Sequence, residues 1–145
     1  MSIRDSVVRI VRMMMERGNA VWRNDVDDAA FVEVNDEAAL TSWLERQEPS
    51  LLLLHDPYCP ISGAAYREAA QLPGPIGLVD VAASPGLSKL VETRTGIRHE
   101  SPQIILLRDG VPFWSASHYR VTEASVSEAV AKAQAPAAGA DSTQP

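Results

Sequence analysis

Four consecutive leucines, Leu51 to Leu54, constrain the fold more than any other feature of this chain. Successive side chains of a strand point to opposite faces, so an unbroken apolar run needs cover on both sides and belongs inside a sheet flanked by helices. The neighbouring sequence supplies those helices. Asp36 to Arg46 reads as one helix, and a second starts at Cys59-Pro60 and ends before Pro73-Gly74-Pro75, which turns the chain into a strand over Ile76 to Val81. Ser84-Pro85 pairs an N-cap residue with a proline suited to the first helical position. Leu87, Leu90 and Val91 give that third helix an apolar face, and it stops near Gly96.

Phe31 to Val34 forms a short strand ahead of this series. Gln103 to Leu107 and Val111 to Ala116 flank Arg108-Asp109-Gly110, and Asp-Gly between hydrophobic runs predicts a hairpin. Thr122 caps a last helix carrying Val126 and Val130. Ahead of all this, residues 1–20 show apolar side chains at three- and four-residue steps (Ile3, Val7, Ile10, Val11, Met14), the pattern of an amphipathic helix. Residues 135–145 are small, polar and proline-bearing, a tail expected to be disordered. One domain over 31–134 results, and with the helix over 1–20 ahead of it the chain runs in the order helix, β, α, β, α, β, α, β, β, α. Right-handed strand–helix–strand crossovers give a parallel part and the hairpin an antiparallel part. The expected fold class is therefore α/β, a mixed central sheet with helices on both faces plus the N-terminal helix.

A chain of 145 residues with 46% hydrophobic content fills one core without disulfide staples. Its net charge of −6 argues against nucleic acid as a partner, since phosphate binding draws on Lys and Arg. Arg4, Asp5, Arg9 and Arg12 interrupt the N-terminal apolar positions, so neither a signal peptide nor a membrane span is expected. The single cysteine cannot form an internal disulfide, and an unpaired thiol suits the reducing cytoplasm.

That cysteine, Cys59, falls between the buried strand and Pro60, at the expected N-cap of the second helix. Unpaired backbone N–H groups and the aligned peptide dipoles there favour a thiolate, the nucleophilic form. Ser62 belongs to the same first turn, and its hydroxyl is expected to donate a hydrogen bond to the sulfur. In Cys59-Pro60-Ile61-Ser62 no second thiol follows, so a mixed disulfide on Cys59 must be resolved by an external thiol. The bland alternative is a buried cysteine acting as a small hydrophobe; the polar exit His55-Asp56-Pro57-Tyr58 favours exposure. His55, His99 and His118 are candidate proton carriers. No compact spacing of metal ligands is present, and neither a metal nor another bound cofactor is expected.

Taken together, His55 followed by Cys59-Pro60-Ile61-Ser62, the segment His99-Glu100-Ser101-Pro102-Gln103, and Trp114 with His118 before Thr122 resemble the monothiol bacilliredoxin family, thioredoxin-like proteins of the bacillithiol system. The resemblance runs from about Phe31 to Val130. It implies a thioredoxin-like fold in which Pro102 is cis and faces Cys59. It also implies an activity, the removal of bacillithiol, a low-molecular-weight thiol acting as co-substrate, from S-thiolated client proteins in the cytosol, with Cys59 attacking the mixed disulfide. Asp56-Pro57-Tyr58 stands where the family usually carries a Ser-Thr-Arg type of segment, which removes one cation from the cysteine's surroundings. An iron–sulfur monothiol glutaredoxin would carry Cys-Gly-Phe-Ser and a Gly-Gly pair, neither of which is in the matching places, and a peroxidatic cysteine would have Thr or Ser where Asp56 stands. The competing class is a non-catalytic thioredoxin-like binding or adaptor module with a modifiable cysteine.

Overall fold

The computed structural model describes residues 31–135. The expected helix over 1–20, the connection before Phe31 and the tail beyond residue 135 lie outside the described residues. Five strands, β1 (Phe31–Glu33), β2 (Ser50–His55), β3 (Ile76–Asp80), β4 (Gln103–Arg108) and β5 (Val111–Ser117), form one sheet in the order β1-β3-β2-β4-β5. β3 pairs in parallel with β1 and β2, whereas β4 is antiparallel to both β2 and β5. The helices are α1 (Glu37–Leu44), α2 (Pro60–Ala69), α3 (Pro85–Thr95) and α4 (Glu123–Gln134), with a 3-10 turn at His118–Arg120.

The leucine run occupies the middle of the sheet, and the alternation of its side chains builds two cores. Leu51 and Leu53 pack with Tyr66, Ile104, Leu106 and Val126 beneath α2 and α4. Leu52 and Leu54 pack with Trp43, Val79, Val91 and Ile105 beneath α1 and α3. Leu52, Leu53 and Leu54 are 0% exposed, each burial contributing about 1.5–3 kcal/mol before the entropy of ordering is subtracted. Trp43 comes so close to β3 that only a glycine fits opposite it: a Cβ on Gly77 would stand 2.7 Å from the indole.

Local chemistry sets the ends of the elements. Asp36 accepts the Ala39 N–H at 2.8 Å at the start of α1, and Thr122 accepts the Ser125 N–H at 3.1 Å at the start of α4. Ser84 holds the N-cap position of α3 as the sequence predicts, but its side chain makes no capping hydrogen bond. The turn ahead of it is instead closed by Asp80, whose carboxylate accepts the N–H groups of Ala82 and Ala83. Asp109 and Gly110 have φ of 54° and 77°, the left-handed pair that a two-residue hairpin turn of type I′ requires.

Candidate active site

β2 delivers the site. Its last residue, His55, is 1% exposed and pairs in register with Asp80 on β3. On the other side Leu54 pairs with Gln103, which sets Pro102, just before β4, at the same end of the sheet as the loop leaving β2. That loop closes on itself: the Asp56 carboxylate accepts the Tyr58 N–H at 2.9 Å, and the Asp56 carbonyl accepts the Cys59 N–H at 3.1 Å. The first is the bond of an Asx turn and the second that of a β-turn. Cys59 then stands at the N-cap of α2 with extended backbone, Pro60 opening the helix after it. Its thiol is free and half-buried, and Tyr58 beside it is 85% exposed. At this position the orphan amides of the first turn and the helix dipole act on the sulfur.

Ser62 departs from expectation. It is 0% exposed, and its hydroxyl turns inward instead of bonding the sulfur. Oγ accepts the Asp56 N–H at 2.8 Å and lies 2.8 Å from His55 Nδ1. A buried hydroxyl left without partners costs about 1–3 kcal/mol, so two fixed polar groups on the inner side of the turn outcompete a thiol, which is a weak acceptor. The His55 ring also rests on Tyr66 at 4.9 Å between centroids, and Tyr66 stacks on Phe31 at 4.4 Å. His55, expected as a proton carrier, is thus sealed from solvent and meets the cysteine's helix at Ser62 and Tyr66.

The second half of the site comes from the segment before β4 and from the turn after β5. The Ser101–Pro102 peptide is cis, and the Pro102 carbonyl accepts the His118 N–H at 2.9 Å. His118 has φ of 55°, left-handed and uncommon outside glycine, and its Nδ1 lies 3.4 Å from the Glu100 carboxylate. The Ser117 hydrogen bond, followed by the charges of His118, Arg98 and Arg120, holds the Glu100 carboxyl below its ordinary value against the upward push of desolvation. The turn His118–Arg120 packs against α2, so His118 joins the Cys59 end of the molecule. His99 is held there by its backbone, whose N–H reaches Glu92 at 3.3 Å, while its Nδ1 makes no hydrogen bond. Among the described residues no group of three His, Cys, Asp or Glu side chains is placed to hold a metal ion.

The structure therefore gathers Cys59, Pro60, Ser62 and His55 on one strand–loop–helix unit and brings Pro102 and His118 to the same end. Sequence reading missed the part played by Tyr66, by the Asp56 turn and by Glu100. An Asp two residues before the Tyr58 amide is an Asx-turn signal and could have revealed the second; nothing local marks the other two, which depend on tertiary packing.

A lone cysteine at the N-cap of the helix after the central strand, at the same end of a mixed five-stranded sheet as a cis-proline, defines a thioredoxin-fold protein of the thiol oxidoreductase class with a single thiol. The likeness extends to solved structures. A thioredoxin-fold protein assigned as an oxidoreductase superposes with a TM-score of 0.66 at 22% identity, over 70% of this chain and 95% of its own. A mutant thioredoxin from Halobacterium salinarum gives 0.58 at 14% identity, over 73% and 92%. A structure addressing thiol resolution in the yeast mitochondrial 1-Cys peroxiredoxin gives 0.58 at 12%, over 71% and 95%. The family model for the monothiol bacilliredoxin BrxC matches residues 32–126, and this chain belongs to that family.

Proposed function

We propose that this protein reduces mixed disulfides between bacillithiol, or a similar low-molecular-weight thiol, and cysteines of client proteins in the cytoplasm. The observation that carries the reading is the single half-buried thiol of Cys59 at a helix N-terminus, with Ser62 where a resolving cysteine would stand. The Cys59 thiolate attacks the small-thiol sulfur of the mixed disulfide. A Cys59–S–S–R bond forms, the client–S–S–R bond breaks, and the client leaves as a thiolate that takes a proton from solvent. A second small-molecule thiolate then attacks the R sulfur, forming R–S–S–R and restoring Cys59. A partner thiol has to supply that second step because the chain holds no other cysteine.

The test is anaerobic incubation with a client protein carrying a bacillithiol mixed disulfide, followed by intact mass. The reading predicts a client that loses the bacillithiol mass and an oxidoreductase that gains it, with no transfer to Cys59→Ser. If the client keeps its adduct while Cys59 stays unmodified, the chain is a binding module instead.

A further inference from the structure

A buried histidine one hydrogen bond from the first turn of the cysteine's helix has no task in the scheme above. We propose that His55 takes the proton of Cys59 through the Ser62 hydroxyl. The inference rests on the thiol-exchange reading and adds to it the group that makes the nucleophile.

A serine hydroxyl offers one proton and two lone pairs. At Ser62 one lone pair is already filled by the Asp56 N–H, so the proton and the remaining lone pair are what His55 Nδ1 can meet at 2.8 Å. With Nδ1 bare, the Ser62 O–H points to it. With Nδ1 protonated, it donates into Ser62 Oγ and sets that O–H free to turn to another acceptor. Ser62 stands at the third helical position and Cys59 at the N-cap, so both belong to the first turn of α2. The relay requires the Cys59 side chain to turn its sulfur onto that hydroxyl.

The transfer then balances. The Cys59 S–H bond breaks as an O–H bond forms on Ser62; the original Ser62 O–H bond breaks as an N–H bond forms on His55. The products are a thiolate accepting from Ser62 at the helix N-terminus, and an imidazolium donating to Ser62 in the interior. Ser62 ends as a neutral hydroxyl. The client thiolate that leaves takes its proton from solvent as before, and His55 returns its own proton along the same path, through the Ser62 hydroxyl, when the site is reset. The other titratable or charged side chains around this end are Asp56 and Tyr58 in the loop, Asp80 on β3, Tyr66 on α2, Arg98, His99 and Glu100 before β4, and His118, Tyr119 and Arg120 after β5. All of them are retained in the variants below.

Alkylation of Cys59 by iodoacetamide as a function of pH reads the relay without any client. His55→Asn places an amide near the position of Nδ1, so it can keep a bond to Ser62, but it cannot take a proton. Its rate at pH 7 should fall about tenfold or more below that of the wild type. Ser62→Ala should lose as much, and the double variant no more than either, because both residues serve one transfer. A wild-type rate and profile in a folded His55→Asn protein, or additive losses in the double variant, overturn the proposal. If His55→Asn does not fold, nitrogen-15 NMR of the wild-type histidines decides. Blocking Cys59 as a methyl disulfide should move the His55 ring signals from imidazolium to neutral, and unmoved signals reject the relay. Client reduction tests the function separately: normal client reduction by His55→Asn rejects the relay alone, whereas an intact relay in a protein that reduces no client rejects the function alone.

Discussion

One tight fit between two elements is made by a residue without a side chain. Gly77 faces the Trp43 ring and Leu52, and a Cβ there would meet the indole at 2.7 and 2.9 Å and the leucine at 3.0 Å. Trp43 has little freedom to retreat, since it is 6% exposed and its Nε1–H donates to the Leu51 carbonyl at 3.1 Å. Gly77→Ala should therefore destabilise the protein by about 1–3 kcal/mol, the range for overpacking a filled core, read from urea unfolding followed by tryptophan fluorescence. An unchanged midpoint would mean that β3 and α1 separate more easily than this packing implies. Glu100 makes a second prediction. Its carboxyl is held below the ordinary value of 4.5, first by the Ser117 hydrogen bond and then by the nearby cations. The unfolded chain thus binds that proton more readily than the folded one. The stabilisation is complete above the ordinary carboxylate range and is lost as pH falls below 4.5 through the lowered value. Glu100→Gln should flatten the acid limb of the stability–pH curve and leave its alkaline limb unchanged; an acid limb identical to wild type would remove Glu100 from the account. At this scale the sequence exposed Cys59 and Pro102 through their places in the pattern. It left the direction of the Ser62 hydroxyl hidden, because that depends on His55 and Asp56 converging on it from an adjoining strand and turn.

Capping separates two helices whose sequences look alike. Both Ser84 and Thr122 occupy N-cap positions, yet Thr122 accepts the Ser125 N–H and Ser84 accepts none with its side chain. Thr122→Ala should cost about 1 kcal/mol, whereas Ser84→Ala should stay within about 0.5 kcal/mol of wild type. Equal losses in thermal unfolding would show that the N-cap position, and not the hydrogen bond, carries the effect. The order of elements from Phe31 onward was legible because each rests on a local signal: the leucine run for a doubly covered strand, Asp36 and Thr122 for helix starts, Gly96 with its φ of 75° for a helix stop, and Asp109-Gly110 for the hairpin. The element ends were less legible. α1 stops at Leu44 and α2 at Ala69, each short of the expected Arg46 and Pro73, because apolar periodicity does not show where packing against the sheet ends.

At the scale of the whole molecule, two cores on opposite faces of one sheet hold the fold, and the one sulfur able to form a disulfide lies past the end of β2, at the N-cap of α2, outside both. Stability and reactivity are thereby separated. No internal disulfide contributes to the folded state, so thermal unfolding should be the same with and without a reductant. The same count fixes what the protein becomes after one turnover step. In a two-cysteine protein a mixed disulfide is short-lived because the second thiol attacks it at the high effective concentration of an intramolecular reaction. Here that attack has no source within the chain, and Ser62 cannot supply it. With a thiolated client present and free small thiol absent, the Cys59 adduct should build up towards one per molecule and persist for as long as the sample stays free of thiol. Adding bacillithiol should discharge it in proportion to the thiolate added. Intact-mass spectra over time measure both phases, and an adduct that decays without added thiol would show that Cys59 is resolved by some route other than the external thiol that a one-cysteine chain requires.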